Sequence, residues 1–191
     1  LDKHTLVFFT SDNGPWLLRK LDGGSAGLLR DGKGSTWEGG MRVPAIAWWP
    51  GKIRPGVVTR ELACAMDLFP TSLTLAGAPI PTDRVLDGVD LSPVLFGNGK
   101  SRREVMFYYR GDELFAVRKG PFKAHFITAP GYAMGGRPLS FEKHDPPLLF
   151  HLPHGPSEQF DVAKEHPDVI ADLRREVEKH RAGLKAARPE Y

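Results

Sequence analysis

Thr5-Leu6-Val7-Phe8-Phe9-Thr10-Ser11-Asp12-Asn13-Gly14-Pro15 is the stretch whose reading decides the fold. A continuous apolar, β-branched and aromatic run ends abruptly in polar turn residues. A short run apolar on both faces is the pattern of a strand buried inside a parallel sheet. Polar residues directly after such a strand sit at its carboxyl end, where open α/β sheets place their ligands. The expected class is therefore α/β, with Asp12 and Asn13 at a ligand-facing tip.

Beyond this tip the chain is rich in glycine. Gly23, Gly24, Gly27, Gly32, Gly34, Gly39 and Gly40 fall within 18 residues. The backbone there must turn tightly or approach something closely. Val43-Pro44-Ala45-Ile46-Ala47-Trp48-Trp49 reads as a second strand, ended by Pro50-Gly51. Asp67-Leu68-Phe69-Pro70 opens a helix with Asp67 as N-cap, Phe69, Leu73 and Ala76 on one face, and Gly77 as its end. A short helical turn led by 88–93 stops at Gly97, and the polar, Gly-rich stretch 97–103 marks a subdomain boundary.

The texture then changes. Runs at 105–109, 114–118 and 122–127 are separated by Gly111-Asp112 and Lys119-Gly120-Pro121, which predicts an antiparallel meander. A loop over 128–147 leads to a further strand at 148–152. The chain closes with a helix from Pro167, with Val169, Leu173, Val177 and His180 at helical spacing and Arg174 and Glu178 at i,i+4.

Composition narrows the function classes. Apolar residues make up 41% and charged residues 26%, as in an ordinary globular protein, and Gly 21 and Pro 17 sit at discrete turns. A net charge of +3, without a basic run interleaved by aromatics, argues against a nucleic-acid partner. No stretch reaches the roughly 18 apolar residues of a membrane span. Cys64 is the single cysteine, so neither an internal disulfide nor a paired-cysteine zinc site is expected, and its apolar setting reads as a structural thiol. The opening Leu1-Asp2-Lys3-His4 lacks an initiator Met and leads at once into a strand. The chain is expected to continue a longer polypeptide, with any targeting segment upstream.

Three constellations could carry chemistry. Asp12 and Asn13 offer a carboxylate and an amide oxygen, the donors that hard divalent cations take, though two do not fill a six- to eight-coordinate shell. By itself Asp-Asn-Gly is more often an Asx turn. Lys33, within Gly32-Lys33-Gly34-Ser35-Thr36-Trp37-Glu38-Gly39-Gly40, places an ammonium between glycines that let backbone approach an anion. The nucleotide-loop spacing is missing, because Gly34 follows the lysine. A plain loop lysine is the simpler reading. Glu38 and Arg42 suit an internal ion pair that holds the loop's shape. Among His125, His144, His151 and His154, His144, placed in the loop before Asp145-Pro146-Pro147, is the candidate for lining a substrate cleft.

The ordered series of motifs is more specific than any member. Thr-Ser-Asp-Asn-Gly-Pro at 10–15 precedes Gly-Gly-Ser-Ala-Gly-Leu-Leu-Arg at 23–30, the 32–44 stretch ending Met-Arg-Val-Pro, and Trp-Trp-Pro-Gly-Lys-Ile at 48–53. Met-Asp-Leu-Phe-Pro-Thr at 66–71, Leu-Ala-Gly-Ala at 75–78 and Asp-Gly-Val-Asp-Leu-Ser-Pro at 87–93 continue it. His-Asp-Pro-Pro-Leu-Leu-Phe at 144–150 and Pro-Ser-Glu at 156–158 complete it. This resembles the C-terminal half of the type I, arylsulfatase A-like sulfatases of the alkaline phosphatase superfamily, over nearly the whole chain.

The resemblance implies a fold. Residues 1–103 would be the C-terminal part of an alkaline-phosphatase-like mixed sheet flanked by helices. Residues 104–191 would be a small antiparallel sheet packed with a C-terminal helix. It also implies hydrolysis of aryl or carbohydrate sulfate esters by a hydrated formylglycine, assisted by Ca2+, with Mg2+ as an alternative ion. Asp12 and Asn13 would be metal ligands and Lys33 the catalytic lysine that contacts a sulfate oxygen. The nucleophile's Cys/Ser-x-Pro-Ser-Arg motif has no match here, nor do the paired aspartates, second lysine and two histidines of the family. The formylglycine and the N-terminal half of the catalytic domain are therefore expected upstream, the latter as a partner this segment needs. His151 stands where relatives usually carry Asp. Two other readings stay open: a phosphodiesterase or phosphonate hydrolase of the same superfamily, and a non-catalytic module of the same fold. Family habit implies a periplasmic or secreted setting in bacteria and a lysosomal one in animals, and the single cysteine favours the bacterial setting.

Overall fold

A computed structural model describes residues 2–132 and 139–184. The chain divides into two compact units, Leu1–Asp12 with Val43–Glu104, and Asn13–Arg42 with Val105–Tyr191.

In the first unit, β1 (Val7–Thr10) pairs with β2 (Ala45–Trp48). The pairing is antiparallel, with Val7 opposite Trp48 and Thr10 opposite Ala45. This corrects the expectation of a buried parallel strand. Phe9 is 66% exposed and Ile46 60%. An apolar run signals that a strand can be covered on both faces. It does not specify the direction of its partner, and among the described residues each of these strands has only the other beside it.

Helix α2 (Leu68–Leu75) follows a 3-10 turn at Ala65–Asp67, and the expected short turn further along is α3 (Ser92–Leu95). Asp67 stands at the expected N-cap position of α2, as the last residue of the 3-10 turn, but its side chain makes no capping hydrogen bond to the helix. Its buried carboxylate accepts the N–H groups of Cys64 at 2.8 Å and Val89 at 2.9 Å, and Arg103 Nε–H at 3.2 Å. Burial alone would raise this carboxyl's pKa. The Arg103 guanidinium and the two backbone donors outweigh it and hold the group below the usual carboxylate range. Thr71 Oγ–H donates to the Asp67 carbonyl at 2.6 Å, and Thr71 Oγ in turn accepts the Leu91 N–H at 2.8 Å. Pro70 and Thr71 are therefore the buried residues of α2, and Phe69 on the expected apolar face is exposed. Cys64 is half-buried, and burial raises its thiol's pKa, as suits an inert cysteine.

The second unit contains the one-turn α1 (Glu38–Met41) and an antiparallel meander of β3 (Val105–Arg110), β4 (Glu113–Lys119), β5 (Phe122–Thr128) and β6 (Glu142–His151). The expected turns form, with Gly111 and Gly120 at positive φ. Helix α4 (Pro167–Gly183) covers one face, where Ile170, Leu173 and Val177 pack with Leu114, Val117, Ala124 and Leu149. Strand β6 starts six residues earlier than expected, so His144 lies in a strand rather than a loop. Pro146 and Pro147 are tolerated because β6 is an edge strand, where a missing N–H breaks no ladder. Residues 133–138 of the expected loop lie outside the described residues. Arg174 pairs with Asp145 at 2.6 Å rather than with Glu178, the partner expected along the helix.

Candidate active site

The segment 13–42 is knitted by backbone bonds. Gly14 N–H donates to Gly40 O at 2.9 Å, Lys33 N–H to Pro15 O at 2.9 Å and Gly39 N–H to Arg30 O at 2.8 Å. Its glycines serve backbone-to-backbone packing. A Cβ on Gly14 would lie 1.7 Å from Gly39 O, and one on Gly39 would lie 2.2 Å from Asp31 O. The tip that carries Asn13 and the loop that carries Lys33 are thus one assembly. Asp12, the preceding residue, ends the N-terminal stretch of the other unit and is exposed. Lys33 is half-buried, with its Nζ 5.8 Å from the centre of the Trp16 ring.

The opposite side of β5 from α4 holds a charged cluster that grips this loop. Lys123, fully buried, donates to the Thr36 carbonyl at 2.7 Å and to Glu38 Oε1 at 2.9 Å, with Glu158 Oε1 at 3.4 Å. Glu158 Oε2 accepts the Glu38 N–H at 2.6 Å. The expected Glu38–Arg42 pair forms at 2.6 Å, although Glu38 Oε2 lacks the alignment of a hydrogen bond. His125 Nε2 lies 2.7 Å from Glu158 Oε1. Burial pushes the His125 pKa down to about 4, against the pull of Glu158, so the ring is neutral at pH 7 and donates from Nε2. Burial alone would raise the Glu158 pKa, but the His125 hydrogen bond and the Lys123 charge outweigh it and lower it. Glu158 itself sits at φ 51°, a left-handed conformation that side chains rarely adopt. Arg30 lies over the Trp37 ring at 3.7 Å and donates to the Glu158 carbonyl at 3.0 Å.

His144 is half-buried on β6, its Nε2 2.8 Å from Thr128 Oγ1. His151 lies against His154, ring centres 3.9 Å apart, in an open cleft of about 350 Å³ with Phe122, Phe160 and His166. Sequence reasoning missed Lys123 and Glu158 as supports of the Lys33 loop. A signal existed for the first: Lys123 and His125 alternate on one face of a strand whose other face is apolar.

Among the described residues, no group of three or more His, Cys, Asp or Glu could hold a metal ion. Asp12 and Asn13 are hard oxygen donors and fit a calcium-type ion in kind, but two residues do not complete its shell.

The fold and the motifs meet in the comparisons with known proteins. Residues 1–78 match the family model described as Sulfatase, and residues 101–191 match the C-terminal region of aryl-sulfatase. The chain belongs to the sulfatase family and corresponds to the C-terminal portion of its members. Arylsulfatase A of Bos taurus is 48% identical over 187 residues, covering 91% of this chain and 36% of that protein. N-acetylgalactosamine-6-sulfatase of Canis lupus familiaris is 43% identical, covering 100% of this chain and 40% of its own length. The PsFucS1 sulfatase from Pseudoalteromonas sp. superposes with a TM-score of 0.84 at 34% identity, over 93% of this chain and 37% of that one. The chain thus spans well under half the length of these relatives. Among the described residues, no helix is long and apolar enough to cross a membrane.

Proposed function

We propose that this chain is the C-terminal part of an enzyme that hydrolyses sulfate esters, aryl or carbohydrate, to an alcohol and sulfate. The observation that carries the reading is the single loop assembly in which Lys33 N–H donates to the Pro15 carbonyl, two residues beyond Asn13. It supports a loop lysine held in one backbone assembly with Asn13, one of the two proposed metal ligands. Lys33 would bind a sulfate oxygen and stabilise the negative charge that builds on the sulfuryl group. Asp12 and Asn13 would hold Ca2+, or Mg2+, through oxygen. When bound, that ion supplies charge neutralisation, and an upstream formylglycine supplies the nucleophile. The cluster of Glu38, Lys123 and Glu158 keeps the loop's backbone fixed, so that Lys33 meets the sulfate without reorganising. His144 would line the cleft. We keep residues 1–103 as part of the catalytic α/β domain and 104–191 as its C-terminal subdomain. The reading places the protein in a periplasmic, secreted or lysosomal compartment.

The test uses the full-length protein and an aryl sulfate. Lys33→Ala is expected to lower kcat by about 10²–10³, the usual loss when one donor to a developing anion is removed. Bound calcium, measured by atomic emission, should be unchanged in that variant and reduced in Asp12→Ala. Unchanged turnover in Lys33→Ala would remove this lysine from the site.

A further inference from the structure

Beside Lys33 stands an aromatic surface that the proposed chemistry does not use. Trp16 is 41% exposed although its backbone is fixed, with its N–H donating to Gly23 O at 2.9 Å and its carbonyl accepting the Arg19 N–H at 2.9 Å. The Arg19 guanidinium lies 5.0 Å from the centre of the indole, and the Lys33 ammonium 5.8 Å. Tyr132 closes the side, its ring 6.3 Å from Trp16 and tilted by 39°. Arg110 braces the backbone before Tyr132 by donating to the Pro130 and Gly131 carbonyls at 3.0 and 3.3 Å. Asp31 ties the same backbone to the Lys33 loop by accepting the Gly131 N–H at 3.1 Å.

A large aromatic ring left open to water is unfavourable unless something covers it. Here the ring is held rigidly and carries cations, so it costs little further ordering when a ligand arrives. We propose that Trp16, flanked by Tyr132 and Arg19, is the subsite that receives the leaving alcohol of the ester, and that this alcohol is a pyranose within an anionic oligosaccharide. The proposal rests on Lys33 being the sulfate contact. Polarised C–H groups on one face of a sugar suit the same electron-rich indole face that attracts the two cations. The Arg19 fork matches a second sulfate or a uronate carboxylate on the neighbouring sugar. A small aryl sulfate has no such second anion.

The experiment compares two probes on the full-length protein, 4-methylumbelliferyl sulfate and a uronate-containing N-acetylgalactosamine-6-sulfate disaccharide. Trp16→Ala should raise KM for the disaccharide about tenfold, far more than for the aryl sulfate, with kcat for the disaccharide within about twofold. Trp16→Phe should restore most of the affinity. Arg19→Gln should weaken the disaccharide severalfold and reduce the salt dependence of its KM. Calorimetric binding of the disaccharide to each variant should follow the same order, and melting temperatures should stay level. Equal changes for both probes, or none, overturn the subsite while leaving the sulfatase reading in place. A wild type that cleaves the aryl sulfate but neither binds nor cleaves the disaccharide overturns the sugar assignment. A wild type that cleaves neither overturns both readings.

Discussion

The β1–β2 ribbon of the first unit and one face of β5 in the second reverse the usual relation between polarity and burial. The ribbon of β1 and β2 is written in Val, Phe, Ile and Trp, and its side chains lie largely open. The β5 strand carries Lys123 and His125 at zero exposure, facing two buried carboxylates. Apolar content says what a segment can bury against, and a charge can be buried only where its partners are already fixed. The second unit supplies those partners internally. Lys123 finds Thr36 and Glu38, 87 and 85 residues away, and His125 finds Glu158, 33 residues away. Among the described residues, β1 and β2 pair as strands only with each other.

The largest break in this contrast would come from removing the central cation. Lys123→Met leaves Glu38 and Glu158 buried with less compensation. It is expected to cost about 3–5 kcal/mol, the usual range when one partner of a buried ion pair is lost. Thermal unfolding of the full-length protein measures it. A change below about 1 kcal/mol would mean that water or Arg42 takes over the charge.

Acid should act next, through His125. Its folded pKa of about 4 lies below the value of about 6.5 expected when unfolded, so the unfolded chain binds the proton first. Stability therefore falls as pH drops from about 6.5 to about 4, by about 3 kcal/mol in all. Glu158, whose folded pKa is also lowered, keeps its contribution above the ordinary carboxylate range and loses it only as pH falls through its own folded value. Denaturant midpoints across this window read the slope. His125→Gln should flatten it while retaining a donor to Glu158, and an unchanged slope would show that another group titrates.

The contrast also explains what was legible in the sequence. The β3–β5 hairpins were readable because short apolar runs were punctuated by Gly111 and Gly120, which is local information. The start of β6 was hidden because Pro146 and Pro147 look like breakers until the strand is known to be an edge. The Glu38–Arg42 pair was readable as opposite charges close together in a Gly-rich loop. The partners of Lys123 and Glu158 were not, because only tertiary structure brings them close, although the alternation of Lys123 with His125 on β5 marked a polar face. Asp67 was read as a helix cap from its neighbours, yet its role is decided by Val89 and Arg103, far along the chain. Asp12, Asn13 and Lys33 are proposed as site residues only through an ordered series of motifs, since each alone fits an ordinary loop.

The smallest expected effect sharpens the comparison most. Phe9 is already largely open on β1, so Phe9→Ser in the 191-residue chain should change stability by no more than about 0.5 kcal/mol, as for other exposed positions. In the full-length protein the same substitution should cost about 2 kcal/mol if further sheet or helix covers that ring, the usual worth of burying a large apolar side chain. Thermal unfolding of both forms gives the two numbers. Equal small losses would mean that the ribbon stays open in the whole protein. Its apolar character would then need a reason other than burial within the catalytic domain.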